Sequence, residues 1–488
     1  MLLAWDAAAV RAAEEPLLAS GVPLMDRAAF ALSVIVAREL LERRARVGGA
    51  RVVLLVGPGN NGGDTLYAGA YLARRGAGVT ALLAAERVHD EGLAALREAG
   101  GRVLRLESGA AGVVFAARAD VVLDGLLGIG ARGGVRGVAG DLVAALAGLR
   151  PRPFVVAVDV PSGIGVDDGT LPGDVLPADL TVTFGGSKPG LLLPPSSGLA
   201  GRIEVVDAGI PLALDEAVTA RLEAADIAAE WPVPNASDHK YSRGVLGVVA
   251  GTRAYPGAAT LVCGAALRAG VGMVRYLGDV GPAVVAAHPE VVVGDGQVQA
   301  WSLGSGVDAH DEAQAARIAD ALATGAPAVV DAGALSLLPE LVGPQVVLTP
   351  HAGELVRLLA ARGVSAERGD VAAAPLAFAR RAHELTGATV LLKGAVTVVV
   401  GPGVVLAQAE APAWLATAGA GDVLAGLLGA LLAGRSSDVL ADPTLAARLA
   451  AVAASVHGRA AHAANPGGPV SAASVADALP STIATLLA

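Results

Sequence analysis

Short apolar runs, each followed by a glycine-rich or polar turn, recur along the first two hundred residues. Seven runs have the length and the Val and Leu content of buried strands: 51–56, 79–84, 102–106, 120–124, 154–159, 180–184 and 202–207. Ala-rich stretches of helical length separate several of them, and residues 1–47 are predicted to be helical with breaks at Pro16 and Pro23. This alternation predicts a parallel sheet with right-handed crossovers.

A second series of the same kind begins at residue 244. Its predicted strands are 244–251, 272–277, 290–294, 299–304, 327–333, 345–350, 389–394, 397–400 and 404–408. The stretch between about 212 and 243 is more charged and contains Pro232 and Pro234, which indicates a domain boundary. We therefore expect two α/β domains with three layers each, at residues 1–215 and 223–488, and the first is predicted to be Rossmann-like.

Composition agrees with this class and excludes several others. Of 488 residues, 53% are hydrophobic and 17% charged, which is ample for buried cores and argues against disorder. The net charge of −10 without a basic cluster argues against a nucleic-acid partner. The single cysteine, Cys263, excludes an internal disulfide and a multi-cysteine metal site.

Nothing in the sequence predicts a membrane partner. The N-terminus lacks the basic start of a signal peptide, and the apolar stretch 423–434 is shorter than the roughly 20 residues that a span needs. We expect a cytoplasmic protein, and the Ala-rich helices favour self-association into a homo-oligomer.

The first candidate for chemistry is the turn GPGNNGG, which begins at Gly57. It contains a G-x-G-x-x-G pattern at Gly57, Gly59 and Gly62, after a predicted strand and before a predicted helix. Such glycines allow a phosphate to approach the backbone, but a plain tight turn explains the pattern about equally well.

Four polar residues follow strands that should share one edge of the sheet: Asn61, Asp124, Asp159 and Ser162. Their amide, carboxylate and hydroxyl oxygens suit an alkali or alkaline-earth cation. Asp159 is also a candidate proton donor or acceptor. Each aspartate alone is explained by capping or turn formation, but their convergence favours a site.

The motifs NNGGD (60–64), DGLLGIG (124–130) and VDVPSG (158–163), in that order, resemble the NAD(P)H-hydrate epimerase domain. The resemblance implies that potassium is bound by Asn61, Asp124 and Ser162, and that Asp159 is catalytic. It implies substrate contacts at Asn60, Asn61, Gly62, Gly63, Asp64, Gly128, Ile129, Gly130, Ala131, Arg132, Gly133, Gly134 and Asp159. Thr65 and Ile129 depart from the family pattern, which usually has glycine and threonine there.

The segment TAGAGDVLAGLLGALLAG, residues 417–434, is the strongest single signal in the second half. Small residues expose backbone N–H groups at a helix N-terminus, where they can hold a phosphoryl group. Asp422 is placed there to take a proton from a hydroxyl nucleophile. The alternative is a capping aspartate on an apolar helix.

GAGD resembles the ribokinase-like superfamily, and further motifs resemble the NAD(P)H-hydrate dehydratase domain: YPGAATLVCGAALRAGVGMV, SLGSGVD, TPHAGE and LLKGAVTVV. The resemblance implies substrate contacts at Ala258, Gly306, His351 and Asp422, with Asp422 catalytic. It implies nucleotide contacts at Lys393, Gly394, Ala395, Val396, Thr397 and Gly421, and Lys240 is a candidate phosphate contact. His351 is also explained as a helix cap, because Glu354 follows three residues later.

The two resemblances together imply repair of hydrated NADH and NADPH. The first domain would interconvert the R and S hydrates, and the second would phosphorylate and dehydrate the S form with ADP, converted to AMP and phosphate, and magnesium. The residues do not distinguish ADP from ATP as the donor. Two alternatives stay open: a ribokinase-type small-molecule kinase with a stable phosphorylated product, and an N-terminal domain that only binds or assembles.

Overall fold

The computed structural model describes residues 1–308 and 310–488. Its contacts divide the chain into two compact units. The N-terminal unit comprises Leu3–Val218, and the C-terminal unit comprises Thr219–Ala488 together with Met1–Leu2.

Strands and helices alternate along the first 218 residues. The strands are β1 (Leu2–Ala4), β2 (Arg51–Val56), β3 (Gly78–Leu83), β4 (Arg102–Arg105), β5 (Val121–Gly125), β6 (Phe154–Val158), β7 (Leu180–Phe184) and β8 (Arg202–Val206). The helices are α1 (Ala7–Ala19), α2 (Leu24–Arg44), α3 (Asn60–Arg74), α4 (Asp90–Glu98), α5 (Gly109–Ala116), α6 (Gly137–Ala147) and α7 (Pro189–Leu192).

The sheet of the N-terminal unit is parallel throughout, in the order β4-β3-β2-β5-β6-β7-β8. The strand order reverses direction between β2 and β5. In open parallel sheets, ligands bind beyond the carboxyl ends of the strands at such a switch point.

Strand β2 lies at the centre of this unit and is covered on both faces. Val52, Leu54 and Val56 pack into a core with residues of α2 and α3, whereas Val53 and Leu55 pack into a second core with residues of α6. Because successive side chains of a strand point to opposite faces, a continuous apolar run is what a doubly covered strand requires.

The C-terminal unit repeats the alternation at greater length. Its strands are β9 (Thr219–Arg221), β10 (Val245–Val249), β11 (Met273–Tyr276), β12 (Val292–Val293), β13 (Ala300–Leu303), β14 (Ala328–Val330), β15 (Val346–Leu348), β16 (Thr389–Leu392), β17 (Thr397–Gly401) and β18 (Val404–Gln408). Its helices are α8 (Ala224–Glu230), α9 (Pro256–Arg268), α10 (Gly281–Ala287), α11 (Glu312–Ala323), α12 (Ala352–Ala360), α13 (Arg368–Ala373), α14 (Pro375–Thr386), α15 (Ala420–Gly434), α16 (Ser436–Ala441), α17 (Leu445–Ala464) and α18 (Ala472–Leu487).

The sheet of the C-terminal unit runs in the order β1-β9-β18-β17-β16-β15-β14-β13-β10-β11-β12. From β12 to β16 the pairs are parallel, and β17 is antiparallel to both of its neighbours. The order reverses at β10, between β11 and β13. Helix α15 is buried along almost its whole length and packs against α9 and α17, which explains its apolar character on all sides.

The predicted α/β class with parallel sheets is confirmed, and two local predictions are wrong. Helix α1 continues through Pro16, which removes one backbone hydrogen bond near the end of the helix without ending it. Helix α3 begins at Asn60, so the polar residues of the predicted turn lie in its first turns. The two units divide between Val218 and Thr219, inside the stretch 212–243, and that stretch also contains β9 and α8.

No single helix of the described chain is long and apolar enough to cross a membrane. The helices α1 and α2 pass the length and composition criteria only as a pair, and they are bent by 114° at their junction.

Candidate active sites

A cavity of about 540 Å³ opens in the N-terminal unit at the switch point of the sheet. Eight residues predicted from the sequence line it: Asn60, Asn61, Asp64, Gly128, Ile129, Gly130, Ala131 and Asp159. Six further lining residues carry most of the remaining chemistry and were not predicted: Arg11, Glu14, Met25, Phe184, Lys188 and Ile210. The cavity therefore combines acidic, basic and apolar walls.

The glycines of the first motif have separate physical reasons. A Cβ on Gly57 would lie 1.8 Å from the carbonyl oxygen of Leu126, and one on Gly62 would lie 2.2 Å from that of Gly57. A Cβ on Gly59 would meet nothing within 4 Å. Gly57 and Gly62 are thus required for close packing of the turn, and only Gly59 leaves open space at the cavity wall.

Several predicted contact residues lie away from the cavity lining: Gly62, Gly63, Arg132, Gly133 and Gly134. A Cβ on Gly63 would meet the side chains of Met25 and His89, and one on Gly134 would meet Gly173. These glycines let neighbouring segments approach the turn and the second loop.

Asp159 follows β6 and has a left-handed backbone, with φ of 65°, which a residue other than glycine adopts only when its surroundings hold it there. Its Oδ1 accepts hydrogen bonds from the Lys188 ammonium (2.5 Å), the Thr183 hydroxyl (3.0 Å) and the Phe184 N–H (3.4 Å). Within the described chain, its Oδ2 accepts none.

Lys188 is only 1% exposed, although lysine is rarely buried. Besides Asp159, its ammonium donates to the Thr183 hydroxyl (2.9 Å) and the Phe184 carbonyl (3.0 Å). Lys188 was not predicted from the sequence. The only signal is its position in the short segment after β7, next to the β6 edge, and that signal does not predict burial.

Two more carboxyls face this ion pair. Burial raises the pKa of Asp64 well above its ordinary value, and the negative charges of Asp159 and Glu14 raise it further, while Lys188 opposes them. Burial and Asp159 likewise raise the pKa of Glu14. The described residues give Asp64 no hydrogen bond and no ion pair.

Asn61, Asp124 and Ser162 form a connected buried set below the cavity. The Ser162 hydroxyl and N–H donate to the two Asp124 oxygens (2.7 and 2.9 Å), and the Asn61 amide donates to the Leu127 carbonyl (3.0 Å). Burial raises the pKa of Asp124, and the hydrogen bonds from Ser162 oppose that rise. The Asn61 Oδ1 is buried without a hydrogen-bond partner in the described structure.

Thr65, which departs from the family pattern, is fully buried and outside the cavity lining. Its hydroxyl donates to the Asn61 carbonyl (2.7 Å), and a Cβ on Gly125 would lie 1.9 Å from the Thr65 Oγ1. The Thr65 side chain thus occupies the space that a side chain at position 125 would fill, and Gly125 leaves that space open.

In the C-terminal unit, Asp422 lies in the first turn of α15. Gly419 precedes the helix with a left-handed φ of 85°, and a Cβ there would lie 2.6 Å from Leu261. A Cβ on Gly421 would lie 3.4 Å from the Lys393 ammonium, an ordinary contact distance, so Gly421 adjoins this lysine. The helix N-terminus, Asp422 and Lys393 therefore meet.

Asp331 accepts hydrogen bonds from three side chains of this cluster. It was not predicted from the sequence. Its Oδ1 accepts from the Lys393 ammonium (2.8 Å) and the Thr349 hydroxyl (2.9 Å), and its Oδ2 accepts from the Ser305 hydroxyl (3.2 Å). Burial raises the pKa of Asp331, but Lys393 and the two hydroxyls lower it overall. Asp331 directly follows β14, as Asp159 follows β6, and this pattern was available in the sequence.

Burial and the charge of Asp331 raise the pKa of Asp422 to about 6, against the opposing effects of Lys393 and Ser305. Burial lowers the pKa of Lys393, but Asp331 and Glu354 raise it overall. Asp422 is thus a carboxyl that changes protonation near neutral pH, a property suited to a general base.

The other predicted residues of this unit fall into two groups. Ala258 and Gly306 are in contact, since a Cβ on Gly306 would lie 2.5 Å from that of Ala258, and His351 pairs with Lys393 in a short bridge. His351 also caps α12, accepting from the Gly353 and Glu354 N–H groups (3.0 and 3.2 Å).

Residues Gly394, Ala395 and Val396 form the connection between β16 and β17, and Thr397 begins β17. Lys240 is exposed, and its described contacts are with its neighbour Tyr241 and with Gly272, not with the Asp422 cluster.

Comparison with known proteins gives a consistent assignment. Residues 22–190 match the family model of the YjeF-related protein N-terminus, and residues 246–481 match that of NAD(P)H-hydrate dehydratase. A solved ADP/ATP-dependent NAD(P)H-hydrate dehydratase from Bacillus subtilis, co-crystallised with ATP and Mg²⁺, is 26% identical with a TM-score of 0.47, covering 55% of this chain and 98% of that one.

Relatives match both units, separately and together. An NAD(P)H-hydrate epimerase from Microbacterium testaceum is 47% identical over 231 residues, 47% of this chain and 87% of that protein. The bifunctional NAD(P)H-hydrate repair enzyme Nnr of Mycobacterium tuberculosis is 46% identical over 441 residues, 87% of this chain and 88% of that protein. Because this similarity extends over most of both chains, the chain belongs to the family of bifunctional NAD(P)H-hydrate repair enzymes.

Proposed function

We propose that the N-terminal unit interconverts the R and S hydrates of NADH and NADPH, and that the C-terminal unit dehydrates the S hydrate with ADP as phosphoryl donor. The observation that carries the proposal is the Asp422 cluster: a carboxyl with a pKa of about 6, at a helix N-terminus, beside a lysine. Family membership supports both activities.

Dehydration needs a better leaving group than hydroxide, and a phosphoryl group supplies it. In the proposed reaction, Asp422 takes the proton of the ring hydroxyl. The hydroxyl oxygen then attacks the terminal phosphorus of the nucleotide. The N–H groups of Gly419–Gly421 stabilise the charge that develops on the transferred group. Loss of phosphate, with a proton from the adjacent ring carbon, then restores the reduced cofactor.

The remaining predicted residues of this unit are proposed as contacts. Lys393 binds phosphate oxygens, and Gly394, Ala395, Val396, Thr397 and Gly421 contact the nucleotide. Ala258, Gly306 and His351 contact the hydrated cofactor. Lys240 stays a candidate phosphate contact, but no described contact connects this exposed side chain with the Asp422 cluster.

In the N-terminal unit, we propose Asp159 as the catalytic group and the lining residues Asn60, Asp64 and Gly128–Ala131 as contacts of the hydrated nucleotide. The oxygens of Asn61, Asp124 and Ser162 fit a potassium ion. The Asn61 Oδ1 is buried without a hydrogen-bond partner, and the buried Asp124 carboxyl beside Ser162 can supply negative charge. A bound ion would neutralise this buried charge and fix the loop that follows β5.

The described residues contain no group of three His, Cys, Asp or Glu side chains that could hold a metal ion. We infer that Mg²⁺ enters with the nucleotide, bound by its phosphates.

Two substitutions in the full chain test the proposal. Asp422→Asn is expected to lower dehydration of S-NADH hydrate by about 10²–10⁴-fold and to leave epimerisation unchanged, because it removes the base. Asp159→Asn is expected to do the reverse. Recovery of NADH absorbance with ADP measures dehydration, and chromatography of the two hydrates measures epimerisation.

Loss of both activities in either variant would contradict separate sites. A stable phosphorylated product without NADH recovery in the wild-type protein would instead identify a small-molecule kinase. Absence of hydrate exchange in the wild-type protein would leave the N-terminal unit as a binding module.

A further inference from the structure

The cavity of the N-terminal unit is lined by several acidic and basic side chains that lie close together. Five charged side chains line it: Arg11, Glu14, Asp64, Asp159 and Lys188. Arg11 donates to the carbonyl of Ile129 (2.6 Å) in the second glycine loop, so its contact is with the rim. The other four interact electrostatically with one another, and Arg11 interacts with Glu14.

We propose that Asp64 and Asp159 form an acid–base pair, in which Lys188 keeps Asp159 a carboxylate and protonated Asp64 supplies a proton to the ring hydroxyl. This inference rests on the proposed epimerase function and assigns roles within it. Asp64 and Asp159 are catalytic in this scheme, and Lys188 is a positioning residue.

The hydrogen bonds of Asp159 define which oxygen is available. Lys188, Thr183 and the Phe184 N–H all donate to Oδ1, which leaves Oδ2 without a partner in the described chain. A buried ammonium beside a carboxylate stabilises the ionised form of both groups. Asp159 lines the cavity, and its Oδ2 is the oxygen that no described donor holds.

Asp64 has the opposite surroundings. It lines the same cavity from α3 without a hydrogen bond or ion pair in the described chain, and Asp159 and Glu14 face it with like charge. Burial and these charges raise its pKa, which favours the protonated acid. Two carboxyls in one site with opposite protonation are the usual arrangement of an acid and a base.

This pair matches the chemistry of the substrate. Water adds to the nicotinamide ring with its oxygen on the carbon bonded to the ring nitrogen. Asp64 gives its proton to this hydroxyl, the C–O bond breaks with its electrons leaving on water, and the nitrogen lone pair forms a C=N bond. The Asp159 carboxylate stabilises the resulting cation.

The reverse addition completes the exchange. Water attacks the opposite face of the same carbon, and the C=N electrons return to nitrogen. The proton lost by that water passes to Asp159 Oδ2 and returns through cavity water to Asp64, which restores both groups. One water leaves and one enters, so no oxidant, reductant or nucleotide is consumed.

The first test compares full-chain variants over a range of pH. Asp64→Asn is expected to lower the epimerisation kcat by at least about 100-fold, and the residual rate should no longer fall at high pH. Lys188→Met is expected to lower kcat by at least about tenfold with little change in KM, because Asp159 loses the ammonium that holds its Oδ1 in place. Glu98→Gln, an exposed carboxyl-to-amide change on α4, is the control.

The second test does not depend on the variants folding. The wild-type protein is given one pure hydrate in H₂¹⁸O, and mass spectrometry follows oxygen in the epimerised product. C–O cleavage predicts one ¹⁸O atom in each product molecule. Retention of the original oxygen, or an Asp64→Asn variant with wild-type rate and pH profile, would overturn the acid–base pair while leaving the epimerase function intact. Absence of wild-type epimerisation would instead contradict the proposed function itself.

Discussion

At the scale of single residues, the two units use the same device, a carboxylate at a strand end bonded to a lysine. Asp159 with Lys188 and Asp331 with Lys393 each follow a central parallel strand. In each unit a second carboxyl nearby has a raised pKa: Asp64 in the first and Asp422 in the second. Like charge at close range separates the protonation states of two groups.

The pH dependence of dehydration follows from Asp422. A base acts only when it is deprotonated, so kcat for dehydration is expected to fall as the pH drops below about 6. Asp331 raises the pKa of Asp422 and Lys393 lowers it. Asp331→Asn should therefore move the acid limb to lower pH, and Lys393→Met should move it to higher pH. Initial rates at saturating ADP, at about seven pH values from about 4.5 to 8, measure the acid limb of each variant. Shifts of the two acid limbs in the same direction would contradict the assignment of Asp422 as the base.

Potassium dependence provides a second residue-scale prediction. Asn61→Ala removes the orphaned buried oxygen, so the K⁺ concentration for half-maximal epimerisation should rise by at least about tenfold, measured at constant ionic strength with choline chloride. Glu98→Gln is the control, since its side chain is exposed on α4 and lies outside the cavity lining. An equal K⁺ response of the two variants would exclude Asn61 as a ligand.

At the scale of elements, the first turns of helix α3 both pack against the turn that precedes them and line the cavity. Gly62→Ala should lower the free energy of unfolding by about 2–3 kcal/mol, because its Cβ would meet the Gly57 carbonyl oxygen at 2.2 Å. Gly59→Ala should cost less than about 1 kcal/mol, since nothing lies within 4 Å. Chemical denaturation of both variants measures this, and equal stabilities would show that the turn relaxes freely.

The strands were predictable from the sequence because a doubly covered parallel strand is a continuous apolar run, as β2 shows. The short strands β1 and β9 were not predicted, since three residues carry too little pattern to indicate a strand. Residues in motifs, such as Asn61 and Asp422, were predicted. Lys188 was not, because its burial depends on the ion pair with Asp159, which only the folded chain brings together.

At the scale of the whole molecule, the two activities should act in sequence. Given a mixture of hydrates and excess ADP, the wild-type protein should recover NADH completely. Asp159→Asn should stop at the fraction present as the S form, apart from slow spontaneous exchange. The plateau of NADH absorbance measures this, with Asp26→Asn, a carboxyl-to-amide change outside the cavity lining, as the control. Complete recovery by Asp159→Asn would show that the C-terminal unit accepts both forms.

The division of one chain into two compact units also sets the proportion of the two catalysts. Translation of a single message produces one copy of each, whatever the level of expression. If the C-terminal unit accepts only the S hydrate, as proposed, the R hydrate does not accumulate through a shortage of epimerase, and no separate regulation is needed to keep the two amounts equal.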